Sequence, residues 1–101
     1  MNIYEALDRY NIDKIYLTPD IRYKISQTYD QDTWIKATKL FLKGIGSNHN
    51  IMGKTLQPMY DMCNLADEGI TLTDKQMIYL TSNLIDYWDQ VDYEIRNQLY
   101  V

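Results

Sequence analysis

A chain of 101 residues suffices for one compact domain, expected to span 1–101, and is too short for two. Apolar residues at 46% against charged residues at 24% exclude a disordered chain, and four Gly with two Pro are too few for the turn-dense texture of a small β-sandwich. A net charge of −4, with a pI near 4.7, excludes a general polyanion binder.

The first expected element is a short helix over 3–10, carried by Ile3, Leu7 and Tyr10. Residues 12–29 leave two readings open. Thr18-Pro19-Asp20 can start a helix with Ile21, Ile25 and Tyr29 on one face. The alternation Ile21-Arg22-Tyr23-Lys24-Ile25 also suits a strand, paired with 14–18 across the Pro-Asp turn. The helix is preferred, because an isolated two-stranded hairpin is poorly stable. A helix over 32–43 follows, capped by Asp32 or Thr33, with Trp34, Ala37 and Phe41 as its core stripe and Gly44 at its end.

The stretch from Gly44 to Gly53 is polar and punctuated by glycine, a loop of the length that is either mobile or functional. A helix over 54–67 comes next, with Leu56, Met59, Tyr60, Cys63 and Ala66 facing inward and Pro58 in its first turn. Thr73-Asp74-Lys75-Gln76 has the spacing of a capping box. From it Met77, Leu80, Leu84, Trp88, Val91, Ile95 and Leu99 recur at three- and four-residue intervals, predicting a helix over 74–99. The fold class expected is all-α, a bundle of about four to five helices with a long C-terminal helix. The alternative is α+β with one small hairpin within 12–29.

One cysteine, Cys63, and one histidine, His49, supply neither an intramolecular disulfide nor a structural zinc site. A reducing, cytoplasmic setting is the corresponding expectation. The N-terminus carries Glu5 and Asp8 where a signal peptide needs basic and then apolar residues. The apolar stretch 77–85 falls far short of the roughly 20 residues a membrane span needs. No catalytic residue, cofactor or metal is expected.

Four groups of residues raise chemical possibilities. Gly53-Lys54-Thr55 ends like a phosphate-binding loop, but Asn48 stands where that motif needs Gly and no strand precedes it, so a helix start is the simpler reading. A His49–Cys63 catalytic pair would need an exposed thiol, whereas Cys63 falls on an inward stripe. Asp86, Asp89 and Asp92, with Glu94 nearby, form a slanted acidic ridge on the last helix. Residues 51–101 carry three Lys/Arg against eight Asp/Glu, while 1–50 carry seven against six, so the acidity is concentrated there. Finally, Lys36, Lys39 and Lys43 share one helix face and, with Arg22 and Lys24, could contact phosphates.

Ten tyrosines suggest base stacking, yet Tyr4, Tyr10, Tyr60, Tyr79 and Tyr87 fall at or beside core stripes. Ile78, Tyr79, Ile85, Tyr87 and Tyr93 lie beyond the seam of the last helix, which therefore is either central in the domain or covers a partner.

The segment Gly69-Ile-Thr-Leu-Thr-Asp-Lys-Gln-Met resembles helix starts of small phage and mobile-element proteins. The Ile-, Asn-, Asp- and Tyr-rich usage is similar to that of AT-rich Gram-positive bacteria and their phages. The resemblance implies two roles: an inhibitor of a host defence enzyme, as anti-CRISPR proteins are, or an accessory subunit of a replication enzyme.

The expectation is therefore a non-enzymatic protein that binds and modulates another protein bearing a basic surface. Asp86, Asp89, Asp92 and Glu94 would contact it, with Tyr87, Trp88 and Tyr93 as anchors. The alternative is a replication accessory factor that touches DNA through Lys36, Lys39 and Lys43.

Overall fold

The computed structural model describes residues 18–45 and 53–87. The described chain opens with Thr18, whose extended backbone and hydroxyl cap the first helix, α1 (Pro19–Ser26), by accepting the Ile21 N–H at 3.3 Å. Proline suits the next position, because the first helical N–H groups have no partner within the helix. Ile25 is fully buried from α1, while Ile21 and the following Tyr29 pack against the core from its edge. Helix is thus the outcome for residues 19–26, and no strand occurs among the described residues.

The second helix, α2 (Gln31–Gly44), starts one residue earlier than expected. Its cap is Asp30, not Asp32 or Thr33. The Asp30 carboxylate accepts the Thr33 N–H at 2.9 Å, which makes Thr33 the third helical residue rather than the cap. This early start frees the Gln31 side chain for a distant task. Its amide nitrogen donates to the Ile70 carbonyl at 3.0 Å and its oxygen accepts the Leu72 N–H at 2.7 Å. One amide thereby holds the connection between the last two described helices.

The third helix, α3 (Gly53–Asp67), begins at Gly53, so Pro58 lies inside it rather than in its first turn. A proline there cannot donate to the Lys54 carbonyl, which makes it the weak point of the helix. Its C-terminus is closed by Gly69 at φ 83°, with the Ile70 N–H reaching back to the Leu65 carbonyl and the Gly69 N–H to that of Ala66, both at 3.0 Å. Met59 and Cys63 are buried as expected, but Tyr60 is 45% exposed. On α3, position 60 stands about 100° round the helix from Met59, at the edge of the buried line rather than on it.

The last described helix, α4 (Asp74–Tyr87), has the expected capping box. Thr73 Oγ1 accepts the Gln76 N–H at 3.2 Å, and Gln76 Oε1 accepts the Thr73 N–H at 2.9 Å. Met77, Leu80 and Leu84 are buried, and so is Ile85, which the periodicity had placed beyond the seam. The reason is position. α4 packs against α1 and α2, so its buried stripe is wider than one seam.

The four described helices form a compact all-α globule around Trp34, Phe41, Met59, Leu80, Leu84 and Ile85. The Trp34 ring meets Tyr29 edge to face, centroids 5.7 Å apart. Two buried threonines, Thr38 and Thr81, satisfy their hydroxyls on the Trp34 and Met77 carbonyls one turn back, at 2.8 and 3.0 Å. Trp34 Nε1 is buried without a hydrogen-bond partner. The expected helix at 3–10, most of the glycine-rich loop, and Trp88, Val91, Ile95 and Leu99 lie outside the described residues.

Candidate functional site

Position along α2 decides what its lysines can do. With 3.6 residues per turn, Lys36, Lys39 and Lys43 fall within a narrow arc of the helix, and all three are exposed. Ile35 and Leu40, beside them, bend toward the packed side of α2. Ala66, near the end of α3, is too small to fill the space opposite. The result is an open hollow of about 440 Å³, with Ile35, Leu40 and Ala66 as its apolar lining and the three lysines along one rim. Asp32 and Asp67 complete the wall.

One ion pair crosses between the helices. Lys39 Nζ lies 2.6 Å from Asp67 Oδ1, and both side chains are about half exposed. That hydrogen bond, more than the charge alone, holds the Lys39 ammonium protonated above the ordinary lysine range. An exposed pair of this kind contributes little to stability, so it can be exchanged for a partner's carboxylate. Beyond the bridge a second hollow, about 320 Å³, is walled by Leu42, Tyr60, Cys63 and Asn64 together with Lys39 and Lys43. Burial pushes the Cys63 thiol up, so it is neutral at physiological pH.

The other candidates from the sequence fare differently. Asp86, first of the acidic ridge, accepts a hydrogen bond from Arg22 Nη2 at 3.2 Å, tying α4 to α1. Its partner Arg22 is thereby held at α4, occupied by a carboxylate rather than presented with the α2 lysines. Tyr87 is half-buried against the core. Trp88, Asp89, Asp92, Tyr93 and Glu94 lie outside the described residues, as does His49. Gly53, Lys54 and Thr55 form the first turn of α3, where the Thr55 carbonyl accepts the Tyr79 hydroxyl at 2.8 Å.

Among the described residues no group of three or more His, Cys, Asp or Glu is placed to hold a metal ion. No described helix is long and apolar enough to cross a membrane.

Sequence reading found the lysines but missed Asp32, Asp67, Ala66 and the exposed Tyr60. No periodicity links residue 39 to residue 67. Only the packing of α2 on α3 puts them side by side. Compared with protein-family models, with curated proteins and with solved structures, the chain matches none.

Proposed function

We propose that this chain is a small non-enzymatic protein that acts by binding another protein and modulating it. The observation that carries this reading is the chemistry of the α2–α3 face. Apolar side chains, three ammonium groups and two carboxylates share one hollow. A surface for polyphosphate chains is more uniformly basic, whereas an apolar floor with a polar rim of mixed charge is the arrangement of a protein interface. The exposed Tyr60 at its flank is a residue type enriched at binding hot spots.

Inhibition of a host nucleic-acid-processing or defence enzyme is the specific form of modulation that the phage-like helix start favours. In that form the acidic run Asp86, Asp89, Asp92 and Glu94 is a second contact, suited to a basic cleft. The partner itself is found by affinity capture from host lysate, followed by kinetic binding at two salt concentrations. Charge reversal at Asp89, Asp92 and Glu94 slows association if the run is a contact. Asp86 is left unchanged in that variant, because a lysine there would face Arg22. An unaltered association rate removes the run from the interface.

A second reading has its own support. Lys36, Lys39 and Lys43 lie on one exposed line near Tyr60, an arrangement that could follow a nucleic-acid strand for a replication accessory subunit. Retention on heparin that falls steeply with salt favours it, and flow-through at modest salt favours the protein-binding reading.

A further inference from the structure

We infer that the α2–α3 hollow receives an amphipathic, acidic helical segment of the partner protein, with its carboxylates against the lysine line and an apolar side chain seated on Ile35, Leu40 and Ala66. This inference rests on the protein-binding reading and names what occupies its site.

Three features of the hollow select that occupant. The first is charge: Lys36 and Lys43 stand exposed on the rim, neither in an ion pair with another described residue, and Lys39 is held by the half-exposed Asp67. Carboxylates from outside can therefore neutralise three cations at the loss of one weak pair. The second is spacing. Lys36 and Lys43 are seven residues apart, two turns or about 10.5 Å along α2. A helix laid beside α2 repeats its own side chains at the same three-, four- and seven-residue steps, so one face presents a carboxylate to each lysine. An extended peptide, with side chains on one face about 6.6 Å apart, falls out of step with them.

The third feature is the apolar lining. A small residue, Ala66, faces the long side chains of α2, leaving a hollow of about 440 Å³, within the roughly 300–1,000 Å³ range of ligand-receiving clefts. Insertion of apolar anchors from an amphipathic helix between two helices is a common peptide-recognition mode. Asp32 and Asp67 at the edges set limits. They repel acidic residues placed off the lysine line, which fixes register, and they oppose a nucleic-acid backbone, whose charge is continuous.

The test uses the full ¹⁵N-labelled chain and three probes of similar length. One is a synthetic helix-forming peptide with Glu on one face and Leu beside it. The second has the same composition, scrambled so that no amphipathic face forms. The third is a single-stranded DNA oligonucleotide. The amphipathic peptide is expected to shift the amide signals of residues 35–43 and 66–67 saturably, and more tightly than either control. Lys36→Glu with Lys43→Glu is expected to weaken it about tenfold, and a Lys-faced version of the peptide to bind that variant better than the wild type. Both lysines are exposed, and unchanged signals elsewhere in the spectrum confirm that the variant is folded.

Equal binding of the scrambled peptide reduces the effect to bare charge and overturns the inference. So do stronger shifts with DNA, or no shifts in these residues. A captured partner that binds the double variant as well as the wild type overturns the groove assignment and leaves the protein-binding reading standing. Failure to capture any protein, with DNA shifting the lysine face, removes both.

Discussion

Cys63 shows how surroundings set the chemistry of a single residue. Its sulfur is enclosed by the α2–α3 contact, and loss of hydration raises its pKa above that of a free thiol. Fewer molecules carry the reactive thiolate at neutral pH, and reagents reach it slowly. Titration with a disulfide reagent at pH 7.5 is expected to be slow for the folded protein and rapid in denaturant. As the chain's one cysteine, it gives an unambiguous signal. Gly69 is the second such case. A Cβ added there meets nothing within 4 Å, so the demand for glycine comes from φ 83° alone. Gly69→Ala should cost about 1 kcal/mol, read as a lowered melting temperature, with Gly69→Asn milder because Asn tolerates the left-handed region.

At the scale of the element, the helix caps differ in whether they can titrate. Thr18, Asp30 and Thr73 cap α1, α2 and α4 through side-chain oxygens, and only Asp30 can titrate. Its carboxylate is held below the ordinary acidic range, chiefly by its side-chain hydrogen bond with Thr33. A carboxyl whose folded pKa is depressed contributes stability above its unfolded pKa, and that contribution disappears as pH falls through the folded value. Asp30→Ala should therefore lower the melting temperature at pH 7, and the gap to the wild type should narrow progressively below about pH 4. A gap independent of pH would mean that the charge has no part in the cap. The α2 start also carries Gln31, whose two bonds to residues 70 and 72 make it the point at which one helix organises the approach to another.

For the molecule as a whole, the core is a shared property of all four described helices. Trp34 and Phe41 from α2 are fully enclosed with Met59 of α3 and Leu80, Leu84 and Ile85 of α4. Phe41→Ala removes an aromatic ring from the middle of this group and should cost about 3–5 kcal/mol, measured by chemical denaturation. Such a loss is a large fraction of the 5–15 kcal/mol that holds a typical domain together. On the surface, the Arg22–Asp86 pair joins α1 to α4 in a partly sheltered setting. Reversal of Asp86 alone should lower the melting temperature more than reversal of the exposed Lys36, because it sets two cations against each other where water screens them less.

The sequence by itself determined the local elements: the capping box at Thr73 and Gln76, the helix of Trp34, Ala37 and Phe41, and the burial of Met77, Leu80 and Leu84. These are properties of residues three or four apart, within reach of one helical turn. Tertiary structure decided the rest. It chose helix over hairpin for 19–26, because α1 could bury Ile25 against the core, chiefly beside α4. It turned Tyr60 outward, drew Ile85 in, and paired Asp86 with Arg22 across 64 positions and Lys39 with Asp67 across 28. Contacts at such separations leave no periodic trace in the chain. The candidate groove follows the same rule: its lysine rim was legible in α2 alone, while its lining and its carboxylates came into being only when α3 packed beside it.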